Sequence, residues 1–226
     1  MKLPDHFLRY FLIAALLLIA GIIFVIIQTA ITNPGLAPLD HAALQARAEY
    51  HSSTLMPYMA GVFPRLLFAN AGVALFILMV PLFWVWVWWF RRDLPDLVVL
   101  FMQATAGILM VALGHNSFTR AYLTYRLLSW QMMATMYLPH GLPEMLAFIL
   151  AGSTAFLTID ALKGYLQENE KSRELHPGDI CLFILDRAWK NGLVIFFVMA
   201  IAAGIECWVT PVLVESAFDA ALLNIT

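Results

Sequence analysis

The chain has 226 residues, of which 62% are hydrophobic and only 12% are charged, with a net charge of −2. A water-soluble domain carries roughly twice that charge, so composition marks a polytopic membrane protein, a single bundle with no room for a separate catalytic domain. The charge balance excludes bulk attraction to nucleic acid. Cys181 and Cys207 stand at opposite ends of the last hydrophobic region, which suggests neither a disulfide nor a cysteine-based metal site.

After a short basic start with Lys2 and Arg9, residues 11–31 carry no charge. This run is longer than the apolar core of a cleavable signal peptide and can cross about 30 Å of hydrocarbon, so it reads as a retained first helix ended by Pro34 and Pro38. Residues 32–65 form a polar connection. Within it, Asp40 suits the N-cap of a short helix from His41 to about His51, lying on the membrane surface. The second span, 66–90, ends in FWVWVWWFRR, an aromatic belt followed by Arg91 and Arg92 as a cytoplasmic anchor. A ligand-stacking role is the alternative use of its tryptophans.

The third span, 97–114, opens with Asp93-Leu-Pro-Asp96 and leaves His115 and Asn116 at its far end. In the region 117–139, the uncharged stretch from Leu127 to Pro139 is too short to span and predicts an interfacial or re-entrant piece before the fourth span, 143–162. A cytoplasmic loop, 163–188, follows. In and beside it Lys163, Lys171, Arg173, Arg187 and Lys190 mix with Glu168, Glu170, Glu174, Asp179 and Asp186, which suits solvent better than an anionic lipid surface. Pro177-Gly178 breaks any long helix there. The fifth span, 189–210, is ended by Pro211, and residues 212–226 suggest a short tail helix on the surface.

Positive charge predicts the orientation. With five spans and the N-terminus in the cytoplasm, Lys2, Arg9, Arg91, Arg92, Lys163, Lys171, Arg173, Arg187 and Lys190 lie inside, and Arg47, Arg65, Arg120 and Arg126 outside. A sixth span would reverse this bias. The expectation is an all-α membrane helix bundle of the inner (cytoplasmic) membrane, N-terminus in and C-terminus out.

Residues 137–158, YLPHGLPEMLAFILAGSTAFLT, concentrate the features that need explaining. Pro143 suits the first turn of a helix and Glu144 its positive dipole end, which predicts a helix starting at Pro143 and non-helical residues 139–142. His140, Glu144 and Glu206 then share the outer half of the bundle. Ionisable groups at such depth are a functional-site hypothesis by default. Several readings compete. In a structural one, Glu144 bonds backbone N–H groups while His140 and Glu206 satisfy each other. In a transport one, a broken helix and two carboxylates form a substrate or proton site. A zinc or intramembrane-protease site would need a further ligand, for which His115 is the outer-side candidate, and the HExxH pattern is absent. A serine triad has no support. Small residues at Ala147, Ala151 and Ala155, and at Ala200 and Gly204, suit close helix packing, either within one subunit or in a homodimer.

The run PHGLPEMLAFILAGSTA, together with IECWVTP at 205–211, resembles the stage II sporulation protein M family. His140, Gly141, Glu144, Gly152, Glu206, Thr210 and Pro211 match that family's pattern, and Asn70 matches a family asparagine more weakly. The stretch HNSFTRAYLTYRLLSW departs from it. The resemblance implies a non-enzymatic integral membrane scaffold or complex subunit without a cofactor or metal. Its implied partners are the bilayer and other membrane proteins, such as an ATPase or cell-wall enzymes. The alternative is a small transporter or permease subunit using His140, Glu144 and Glu206.

Overall fold

A computed structural model describes residues 6–90, 95–169 and 175–223. Lys2, Arg91, Arg92, Asp93, Glu170, Lys171, Arg173 and Glu174, on which part of the charge argument rests, lie outside these residues. No strand occurs among the described residues. The helices are α1 (Phe7–Thr32), α2 (His41–Tyr50), α3 (Met56–Met59), α4 (Phe63–Leu78), α5 (Val80–Phe90), α6 (Pro95–Leu127), α7 (Trp130–Asn169), α8 (Pro177–Gly204) and α9 (Thr210–Leu223). The protein is an all-α bundle in which five helical segments are long and apolar enough to cross a membrane: Phe7–Thr32, Phe63–Phe90, Asp96–Leu127, Trp130–Glu168 and Pro177–Leu223.

The outside of the bundle supports the same conclusion. Leu12, Leu16, Ile23, Phe24, Ile27 and Ile31 run exposed along α1, and Leu193, Phe197 and Ile201 along α8. Water would penalise so continuous an apolar surface, whereas lipid tails accept it. The Asp40 carboxylate accepts a 2.8 Å hydrogen bond from the Ala43 N–H, so the N-cap of α2 forms as its sequence predicts. Helix α7 is the most enclosed of the five, with 61% of its most apolar window buried against 28% for α1. Along it Ala147, Ala151 and Ala155 are fully buried, packed in one cluster with Ala188, Met199 and Ala203 of α8. The alanine stripe therefore packs within one chain. The close crossing of α1 and α6 depends on glycine. A Cβ added at Gly21 would stand 2.0 Å from the Val111 carbonyl oxygen, and one at Gly114 would stand 2.0 Å from that of Leu18.

Four expectations are corrected. Residues 139–142 are helical, and Pro143 lies inside α7, which runs unbroken through Pro139 and Pro143. The rule that proline starts or stops a helix holds where water satisfies the freed backbone groups; between packed apolar helices a break would strand more of them than it relieves. No separate interfacial or re-entrant piece occupies 117–139, because α6 continues to Leu127 and α7 begins at Trp130. The proposed loop 163–188 is largely helical, since α7 reaches Asn169 and α8 begins at Pro177, in the first-turn position that proline favours. Glu168, Asp179, Asp186, Arg187 and Lys190 are exposed on these helix ends.

Lastly, Pro211 does not end the fifth span. A π turn, Ile205–Val209, precedes it, with the Thr210 N–H bonded to the Ile205 carbonyl, and α9 continues to Leu223. Widening the turn moves aside the carbonyl that the proline ring would strike and that has no N–H to meet. The same device stands before Pro57, where the π turn His51–Leu55 closes with the Met56 N–H on the His51 carbonyl. The tail is thus no separate surface helix. Val214 and Phe218 of α9 are buried against Leu44 of α2 and Met132 of α7, forming a cap over one end of the bundle.

Candidate functional site

Because α7 is continuous, His140 and Glu144 lie one turn apart on the same face. Each is bonded to a different neighbouring element. The Asn70 amide of α4 donates to the Glu144 carboxylate. His140 is buried, and its Nδ1 lies 3.2 Å from the Thr210 hydroxyl at the start of α9, with the direction of donation set by the imidazole tautomer. Glu206, in the π turn, is close enough for its charge to act on Glu144, and the Arg120 guanidinium of α6 acts on Glu206 in turn.

Part of this cluster is carried on the π turn before Pro211. The π turn accommodates the proline, and Thr210 at its end reaches His140 of α7. Asn70, His140, Glu144, Glu206 and Thr210 are brought together, and Pro211 is buried beside them. Gly141 meets no atom within 4 Å of an added Cβ. His115 belongs to a different contact: its Nε2 is 2.7 Å from Gln28 Oε1 of α1, and its ring packs on Phe24. Asn116 is exposed nearby. Gly152 serves packing, since an added Cβ would lie 2.6 Å from Met110 Sδ.

Two participants carry no flag in the sequence. Arg120 reads as a loop cation while 117–139 is taken for a surface piece; the i, i+4 step from Asn116 to Arg120 along an extended third helix is the signal that would have found it. Asn191 of α8 donates to the Thr154 hydroxyl of α7 at 3.1 Å, a second polar contact between spanning helices. Neutral amides in an apolar run attract no notice until a helix face is assigned.

His140 and Glu144 both open onto a cavity of about 90 Å³ between α1, α6 and α7, with Ser117, Phe118 and Tyr137 in its wall. That volume holds several waters, each needing roughly 10–15 Å³, and falls below the roughly 300–1,000 Å³ of organic ligand sites. Glu206 does not line it. A shared face for His140 and Glu144 is half of a metal site, but among the described residues no three His, Cys, Asp or Glu side chains converge as ligands.

The tryptophan run divides its duties. Trp88 is buried in the core, Trp86 faces outward, and Trp84 stacks on Phe101 at 5.5 Å. The cysteines are both free. No protein-family model, no curated protein and no solved structure matches the chain.

Proposed function

We propose that this chain is a non-enzymatic integral membrane subunit, similar to the stage II sporulation protein M family. Its polar cluster fixes the register of four helical elements so that the bundle presents one surface to a partner protein. The observation that carries this reading is the cross-helix pairing of Glu144 with Asn70 and of His140 with Thr210. Groups paired in this way hold helices in place; each such contact contributes only about 0.6 kcal/mol on average, which suffices to choose between registers of an otherwise apolar bundle. The partner class taken from the resemblance is a membrane complex component, such as an ATPase or a cell-wall enzyme. A homodimer would have to use a surface other than the buried alanine stripe. The proposed orientation places the N-terminus in the cytoplasm of a cell with an inner (cytoplasmic) membrane. The Lys163–Asp96 ion pair, 3.1 Å, then lies at the inner end and the α2–α9 cap at the outer end.

A second reading is favoured by one observation, the small cavity shared by His140 and Glu144. It suits passage of protons or a small cation and is too small for an organic solute. Purification in mild detergent followed by mass spectrometry separates the two. The subunit reading expects a membrane protein recovered in fixed ratio to the chain. A chain that purifies alone and conducts protons or cations in proteoliposomes would replace it with the transport reading.

A further inference from the structure

A second cavity, of about 360 Å³, lies under the cap where α2, α6, α7 and α9 meet. Its size falls within the range of small-ligand sites. Two arginines line it, Arg47 from α2 and Arg120 from α6. Among the described residues neither has a carboxylate within ion-pair distance. Arg126, further along α6, differs in donating to the Leu36 carbonyl at 3.1 Å. His51 also lines the cavity. Its ring is buried at 7% exposure, rests 5.9 Å from the Phe218 ring, and leaves Nδ1 without a hydrogen-bond partner. On the same wall the Thr124 and Tyr137 hydroxyls lie 3.3 Å apart. The acids whose charges reach this region are Glu206, acting on Arg120, and Glu215, acting on His51; neither lines the cavity.

We propose that this cavity binds the phosphate oxyanion of an anionic lipid headgroup. Two guanidinium groups that face one space repel each other, and an oxyanion between them offsets that repulsion with paired, charge-assisted hydrogen bonds. Nδ1 of His51 and the two hydroxyls supply further polar contacts. The rest of the wall, including Leu127 and Met136, is apolar and accepts the start of an acyl chain. The cavity lies beside the end of α6 and the start of α7, where spanning helices leave the hydrocarbon for the headgroup region. This inference shares Arg120 with the polar cluster but does not rest on the subunit reading, because Arg47, His51 and the cap lie outside the Asn70–Glu144 pairing.

The test is binding of short-chain phosphatidylglycerol to the full chain in a neutral detergent, compared with short-chain phosphatidylcholine and with inorganic phosphate alone. Phosphatidylglycerol is expected to bind at one site, weakened about tenfold or more by Arg47→Gln and by Arg120→Gln. Arg47→Lys, which keeps the charge and loses the planar fork, should bind between the native chain and Arg47→Gln, and Arg65→Gln, outside the cavity, should leave binding unchanged. Arg47 is exposed, so its substitution does not threaten folding; if Arg120→Gln folds poorly, Arg47→Gln decides alone. Preference for the lipid over inorganic phosphate supports the headgroup as the source. Equal binding of inorganic phosphate supports the oxyanion site and assigns free phosphate instead. Equal binding of phosphatidylcholine and phosphatidylglycerol, or full binding by Arg47→Gln, overturns the proposal.

Discussion

Glu144 takes its hydrogen bond from a side chain on another helix, and this decides what each partner can be exchanged for. Asn70→Leu removes the donor while leaving a half-buried carboxylate behind, so it should lower stability by about 1–3 kcal/mol, read as an earlier thermal unfolding in detergent. An unchanged melting temperature would show that the pairing contributes nothing. His51 makes a different prediction. Burial pushes its imidazole below the ordinary value, against the opposing pull of the Glu215 carboxylate. Above about pH 6.5 the ring is neutral in both folded and unfolded chains and contributes no pH dependence. As the pH falls below that value the unfolded chain binds the proton first, so folded stability declines towards the lower folded value. Melting temperatures at pH 7.5 and 5.5 should therefore fall further for the native chain than for His51→Asn; equal losses would remove His51 as the cause. At this scale the sequence identifies the ionisable residues, because a charge in an apolar run is conspicuous. It does not identify Arg120, Asn191 or the partner of His115, because those assignments need to know which helix faces which.

Among the elements, existence is readable, and termination is readable where a proline follows the apolar run, as Pro34 follows the end of α1 at Thr32. Five apolar runs announce five long helices, and Asp40 announces the start of α2. Every proline taken as a terminus inside an apolar segment misleads, as Pro143 and Pro211 show, because the surrounding helices satisfy or displace the affected backbone groups. Pro81 is intermediate: the second span divides at the single turn residue Met79, whose N–H bonds to the Leu75 carbonyl and whose carbonyl accepts from the Leu82 N–H, and helix resumes at Val80. Glycine gives a paired test of the packing. Gly114→Ala drives a Cβ into the Leu18 carbonyl and should lower folded yield and thermal stability by separating α1 from α6. Gly141→Ala meets open space and should be neutral or raise stability, by up to about 1 kcal/mol from helix propensity. A destabilised Gly141→Ala would mean that the glycine answers a need other than packing.

For the whole molecule, the orientation and the role of the polar cluster are the two claims that matter. Single cysteines at Gln45 and Glu168, in a chain lacking Cys181 and Cys207, should react with an impermeant reagent from opposite sides, with position 168 reached only from the cytoplasm. Reaction of both from outside would overturn the five-span arrangement and relocate the polar cluster, and reaction of position 45 from the cytoplasm alone would reverse the placement of the cap and its cavity. The broad architecture follows from composition alone, since a chain this poor in charge has few other ways to satisfy its backbone. The closeness of the cluster does not, because it depends on a π turn that no local pattern specifies beyond its proline. The most direct test of the subunit reading is Glu144→Gln, measured for protein level, partner recovery and function in the native membrane. The amide keeps the oxygen that accepts from Asn70 and removes only the ionisable group, so all three measures should match the native chain. A Gln variant present at full level and fully assembled, yet inactive, would contradict the account and make the carboxylate itself the working group.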